Sequence, residues 1–195
     1  MSIGGQDHNQ PQLFKRLIAD AGAVANRIDQ LGAELTHHYS GKRPLFICLL
    51  RGGAPFATQL MFAITRLDPV FHPELDYMTI TTYGDKRTGG DPRIVMDQAP
   101  KTEPEGRSVV ILDDVLDMGI TAAFTRKVME ERGALDVALC VLVQKQTGRT
   151  LYGDADWYGF EAPADWLTGM GMDDHRVAPE ANRWLDQIAI ADSDS

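Results

Sequence analysis

The spacing of apolar positions changes several times along the chain, and each change predicts an element. From Gln12 to His38 the residues Phe14, Leu17, Ile18, Ala21, Val24, Ala25, Ile28, Leu31 and Leu35 recur three or four apart. That period predicts one long amphipathic helix. "PLFICLL" (Pro44 to Leu50) is a continuous apolar run, followed by a glycine pair and then "APFATQLMFAITR". It reads as strand, tight turn and helix, with a strand buried on both faces. "LDYMTITTY" (Leu75 to Tyr83) is rich in strand formers. "SVVIL" from Ser108 leads into the helical "TAAFTRKVMEERG", closed by Gly133, and "LDVALCVLVQK" supplies a further strand. Strands alternating with helices predict a mostly parallel sheet with helices on both faces, an α/β fold.

Two stretches break the alternation. Between Tyr83 and Arg107 lies a segment rich in glycine, proline and charge. That is long for a connection in a compact domain and predicts a working lid, with "RIVMD" inside it as a small hairpin arm. From Leu151 onward the spacing is irregular and carries Trp157, Trp166 and Trp184, which predicts a cap on the core instead of another strand–helix–strand unit. We therefore expect a single domain over residues 1–195, with a core over about 12–150 and a hood over about 151–190.

Composition narrows the setting. A chain of 195 residues with 44% hydrophobic positions can bury one sizeable core. No apolar run approaches the ~20 residues that span a bilayer, and the start "MSIGGQDHNQ" has neither the basic nor the apolar part of a secretory signal, so a cytoplasmic protein without a membrane partner is expected. Cys48 and Cys140 both fall inside strand-like runs and are expected as buried free thiols. The net charge of -9 argues against a nucleic-acid partner, so any phosphate must be held locally.

One place invites chemistry. "SVVILDD" ends in Asp113 and Asp114, and in an open α/β sheet the residues just past a strand face the ligand crevice. The following "DMGIT" feeds a helix. Its backbone N–H groups, with Gly119 allowing close approach and Thr121 offering a hydroxyl, make an anion seat. Carboxylates beside a phosphate seat need sugar hydroxyls or a divalent cation to face, and a phosphorylated sugar meets both demands. The plain alternative is helix capping, which Asp does well but which does not need Asp113, Asp114 and Asp117 together. The ATPase loop, the dinucleotide fingerprint and the serine-hydrolase elbow are absent from the sequence. His37 and His38 are adjacent on a helix and are expected to be solvated.

"VVILDDVLDMGIT" resembles the phosphoribosyl pyrophosphate (PRPP) binding motif of type I phosphoribosyltransferases, in the form found in those acting on hypoxanthine and guanine. "LLRGGAPF" is similar to that family's pyrophosphate loop, "TTYGDKRTGG" to its lid, "VLVQKQTGRT" to its base-recognition strand, and "DWYGFEAPADWLTGMGMDD" to its hood, in the family's order.

The resemblance implies a purine salvage enzyme that joins a 6-oxopurine to PRPP, giving the nucleoside 5-monophosphate and pyrophosphate, with Mg²⁺ as cofactor. It implies that Asp113 and Asp114 hold the ribose hydroxyls and, indirectly, Mg²⁺, while Asp173 takes a second Mg²⁺. Asp117 would be the acid/base at purine N7, and Asp117, Met118, Gly119, Ile120 and Thr121 would seat the 5-phosphate. The backbone around Leu50, Arg51 and Gly52 would receive pyrophosphate, in the family through a cis peptide, and Thr82 and Tyr83 would close over the reaction centre. Lys145 would donate to purine O6, Trp166 would stack on the ring, and the Leu167 backbone would meet its 2-position edge. A homodimer or homotetramer is expected. The chain departs from the pattern at Met118 and Ile120, where polar residues are common, and after "MDD", where the pyrophosphate arginine is replaced by "HRVAPEANRW" with Arg176 and Arg183 as candidates. Readings that stay open are a xanthine-preferring relative and a PRPP-binding, pyrimidine-responsive RNA regulator, the latter disfavoured by Asp117 and the acidic charge.

Overall fold

Asp20 opens the first helix: its side chain accepts a hydrogen bond from Ala23 N at 2.8 Å, leaving α1 over Ala21–His38. The helix is therefore shorter than its apolar spacing predicts. Arg16–Ala19, just upstream, form strand β1 and pair antiparallel with Ile188–Ile190 at the far end of the chain. Positions 14, 17 and 18 suit either period, and the partner strand decides between them. A computed structural model of the chain describes residues 14–82, 91–148 and 150–192.

The remaining elements are β2 (Leu45–Leu49), α2 (Ala54–Leu67), β3 (Glu74–Thr81), β4 (Arg93–Met96), β5 (Ser108–Leu116), α3 (Ile120–Glu131), β6 (Asp136–Lys145), β7 (Trp157–Ala162), β8 (Leu167–Thr168) and β9 (Ile188–Ile190). A six-stranded sheet has the order β4-β3-β2-β5-β6-β7, and a three-stranded one the order β1-β9-β8. The pairings from β3 to β7 are all parallel, and only β4 runs antiparallel, folding back on β3 as the small arm expected around "RIVMD". This is the α/β architecture that the alternation predicts.

The continuous apolar runs follow from burial on both faces. On one side Val24, Ile28, Leu31 and Leu35 of α1 and Phe56, Leu60 and Ile64 of α2 pack with Phe46, Cys48, Val110 and Leu112. On the other, Ala122 and Met129 of α3 pack with Leu45, Ile47, Ile111 and Val141. Successive strand residues thus alternate between two cores, so no polar face is left for them. Truncating a fully buried position such as Leu60 to Ala costs about 2–5 kcal/mol. Cys48 and Cys140 are buried and unpaired, as expected, and burial pushes both thiols up in pKa.

Two boundaries differ from expectation. The cap expected from Leu151 begins later, because β7 lies beside β6 in the main sheet; the hood sheet proper uses β8, β9 and the N-terminal β1. The long connection is also partly anchored. Asp97 takes two 2.7 Å hydrogen bonds from Arg132, which hold its carboxyl below the usual range, and Asp76 accepts from Ala99 N at 2.8 Å. The expected lid residue Tyr83 and the segment 83–90 lie outside the described residues. No described helix is long and apolar enough to cross a membrane.

Candidate active site

The chain leaves β2 toward β3 on one side, while β5 lies on the other, so the strand order reverses between β2 and β5. A crevice forms beyond their carboxyl ends at such a point. Into it come the Leu50–Gly52 turn after β2 and the loop from β5 into α3. Here β5 runs on as a strand through Asp113 and Asp114 to Leu116. The loop then turns at Gly119, whose φ of 71° is left-handed, a conformation glycine adopts at no steric cost. A Cβ there would also stand 2.9 Å from Tyr152 N, so the glycine serves both turn and close packing.

Two adjoining cavities occupy the crevice. One, of about 210 Å³, is lined by Thr82, Asp113 and residues 115–122, which include the whole expected phosphate seat. The other, of about 190 Å³, is lined by Asp114, Val115, Asp117, Lys145, Trp166, Leu167, Met172 and Asp173. Val115 and Asp117 face both, and together the cavities fall in the ~300–1,000 Å³ range of small-ligand sites. All the expected base-side residues are therefore brought together.

In the second cavity Lys145, at the end of β6, donates to Asp117 Oδ2 at 2.8 Å; its side chain is 8% exposed against 45% for Asp117. A lysine this buried is not an ordinary surface residue. Trp166 is 40% exposed and so is not core either; its indole donates to the backbone oxygen of Asp173 at 3.0 Å, which fixes the ring at the cavity edge. Leu167 is buried in β8, on the small sheet that frames this side.

Asp113 and Asp114 sit at the crevice floor. Desolvation and the neighbouring Asp114 charge push the Asp113 carboxyl well above its ordinary value, and desolvation raises Asp114 as well, against the backbone N–H of Val115 and the Arg183 charge. Two adjacent part-buried carboxylates with raised pKa values would be relieved by sugar hydroxyls or a divalent cation. No group of three His, Cys, Asp or Glu among the described residues forms a cage. Mg²⁺ fits such a donor set, since it binds through one or two carboxylates and takes its other oxygens from water and substrate phosphates. Asp173 is engaged otherwise, receiving Arg183 Nη2 at 3.1 Å.

The turn after β2 carries a cis peptide between Leu50 and Arg51, at the position the sequence resemblance implies. Gly52 follows, wedged between core and hood. A Cβ on it would lie 2.1 Å from Asp114 Oδ2, and a Cβ on Gly171 would lie 1.8 Å from Gly52 O. Of the two candidate arginines, Arg176 is held away by Asp174, with bonds of 2.7 and 2.8 Å, and by the backbone of Asp192. Arg183 is the one that faces the crevice, touching Asp173, Glu180 and the Gly171 carbonyl.

Sequence reasoning missed Val115, Met172 and Gly171 as parts of the site. Val115 sits inside the acidic motif, but strand alternation puts it on the face opposite Asp114 and so gave no signal that both line one cavity. Met172 and Gly171 carry no chemical signal of their own, because Met172 supplies apolar lining to the base cavity and Gly171 the close fit against Gly52.

Residues 17–175 match the phosphoribosyl transferase domain family. Among characterised relatives, the hypoxanthine-guanine phosphoribosyltransferase of Streptococcus thermophilus is 31% identical over 161 residues, 82% of this chain and 86% of that protein. The bifunctional protein TilS/HprT of Listeria innocua is 33% identical over 173 residues, 88% of this chain, which spans 26% of that protein's length. A crystal structure of a hypoxanthine phosphoribosyltransferase from Staphylococcus aureus covers 99% of this chain and 98% of its own at a TM-score of 0.82 with 23% identity, a likeness of fold. With a family match across most of its length and a relative 31% identical over 82% of it, the chain belongs to the phosphoribosyl transferase family.

Proposed function

We propose that the protein is a purine salvage enzyme that condenses a 6-oxopurine, hypoxanthine or guanine, with PRPP to give the nucleoside 5-monophosphate and pyrophosphate. The observation that carries this reading is the Lys145–Asp117 pair, set in a cavity bounded by Trp166 and opening onto the phosphate seat. The Streptococcus thermophilus relative, whose name specifies hypoxanthine and guanine, supports it.

In this reading the 5-phosphate rests on the backbone N–H groups of residues 117–121 with the Thr121 hydroxyl, at the start of α3 where the helix dipole favours an anion. The ribose hydroxyls lie against Asp113 and Asp114. The purine enters between Trp166 and Val115, its O6 toward Lys145 and its N7 toward Asp117. N9 attacks the ribose carbon, the bond to the pyrophosphate oxygen breaks, and the N7 proton passes to Asp117. Asp113 and Asp114 would hold Mg²⁺ together with PRPP, and the ion would supply charge neutralisation for the departing diphosphate. Leu50, Arg51 and Gly52 receive that leaving group with Arg183, and Thr82 closes the crevice from the β3 side, keeping water from an oxocarbenium-like ribose. A PRPP-dependent assay with hypoxanthine, guanine, xanthine and adenine tests the proposal. Nucleotide formation from the 6-oxopurines supports it, and release of pyrophosphate with none of them contradicts it.

A further inference from the structure

Glu180 stands between the two arginines of the pyrophosphate subsite. Its Oε1 lies 2.9 Å from Arg51 Nη2 and its Oε2 lies 2.5 Å from Arg183 Nε. One arginine belongs to the turn after β2, the other to the hood, so a single carboxylate spans the seam. Arg51 is otherwise open to solvent, its side chain 74% exposed, whereas the Arg183 side chain is 8% exposed. The loop presenting Glu180 is held by backbone bonds from Asp174 N to Ala181 O at 2.9 Å and from Gly171 N to Arg183 O at 3.0 Å. Within it Glu180 takes a φ of 64°, a left-handed conformation that side chains of this kind rarely adopt and that concentrates at working positions.

We propose that Glu180 is an internal stand-in for pyrophosphate, a carboxylate that occupies Arg51 and Arg183 in the ligand-free protein and must be displaced when the diphosphate of PRPP arrives. The inference rests on the phosphoribosyltransferase reading of the site and adds a residue to it. Two guanidinium groups converging on an anion are the arrangement a diphosphate requires, and a carboxylate satisfies them with the same charge-assisted geometry. Occupied donors cannot bind a second anion at full strength. The apparent affinity of the seat for diphosphate is therefore reduced by the fraction of molecules in which Glu180 has let go. The same contact returns as pyrophosphate leaves, so Glu180 favours product release and sets how strongly pyrophosphate holds on.

The test is calorimetric titration of inorganic pyrophosphate with Mg²⁺ into the full-length protein and its Glu180→Gln variant, together with KM for PRPP and for hypoxanthine. Gln keeps size and hydrogen bonding but drops the charge that competes. The variant is expected to bind pyrophosphate about tenfold more tightly and to show a lower KM for PRPP, with KM for hypoxanthine changed by less than about twofold. Equal or weaker pyrophosphate binding by the variant, with both proteins still using hypoxanthine, overturns the inference while leaving the proposed reaction standing. Tighter pyrophosphate binding in a protein that uses no purine upholds the inference and contradicts only the reaction.

Discussion

Lys145 and Asp117 meet at 2.8 Å across the base cavity, one from the end of β6 and the other from the loop that leads into α3. Each element is placed by the parallel pairing of β5 with β6, which runs in register from Ser108 with Asp136 to Leu116 with Gln144. The sheet thus brings the proposed O6 donor and the proposed N7 acceptor into one pocket.

Asp117→Asn should lower kcat by about 10²–10⁴-fold while leaving PRPP binding largely intact, because the proposed phosphate seat is mostly backbone. Asn still accepts a hydrogen bond from Lys145, so the fold should hold. Steady-state kinetics beside a PRPP titration separate the two effects, and unchanged turnover would exclude Asp117 as acid/base.

Asp113→Asn should stabilise the ligand-free protein at neutral pH while weakening PRPP binding. The folded Asp113 carboxyl has a pKa raised above its unfolded value, so its protonated form favours the fold and its ionised form opposes it. That contribution is fully present at pH below the unfolded value and is lost as pH rises through the folded one. The gain from Asn should accordingly shrink as pH falls into the ordinary carboxylate range. Each kcal/mol is worth about 2–4 °C in a chain of this size, within reach of thermal melts run at several pH values without Mg²⁺. A gain that grows on acidification would run against the assigned shift.

Gly171→Ala should damage the proposed pyrophosphate subsite from the hood side. The φ at Gly171 is 105°, and the added methyl would meet Gly52 O. A loss of about 1–3 kcal/mol in unfolding free energy is expected, with KM for PRPP raised more than KM for the purine. Denaturant melts and the two KM values check it; equal increases in both would point away from a local effect.

Met118→Thr should lower KM for PRPP about fivefold, the worth of roughly 1 kcal/mol from one new hydroxyl donor to phosphate. Met118 is half exposed at the mouth of the phosphate cavity, and its backbone oxygen already anchors Leu151 N at 2.9 Å, so the side chain is free to change without unseating the loop. An unaltered KM would mean that the backbone alone saturates the phosphate.

Much of the core was legible in the chain because burial on two faces leaves a plain trace. Leu45 through Leu49 are all buried, and a run this short, bounded by Pro44 and a glycine pair, fits a doubly buried strand better than a helix. The candidate site was legible for a related reason, since Asp113, Asp114, Asp117 and Thr121 fall within nine residues and line adjoining cavities. What was misread depends on partners far away in sequence. Leu17 and Ile18 belong to a strand only because Ala189 and its neighbours arrive from the other end of the chain. Trp157 joins the main sheet by pairing with Cys140, though no helix between them announces a crossover. Glu180 was invisible because its two arginines lie 129 residues upstream and three residues downstream, in a loop whose composition reads only as a turn.

The central claim is that the cavity selects a 6-oxopurine, and the ratio of kcat/KM for hypoxanthine over adenine tests it most directly. Lys145 offers only donors, which suit the O6 acceptor but face another donor in the adenine amine. A buried cation that keeps Asp117 but meets a donor where the base should offer an acceptor is the kind of mismatch that rejects a wrong substrate by about 10⁴-fold or more. The ratio should therefore be about 10⁴ or higher in the unmodified protein. It should narrow in Lys145→Gln, mainly by loss of hypoxanthine turnover. Comparable use of adenine and hypoxanthine by the unmodified protein would contradict the account.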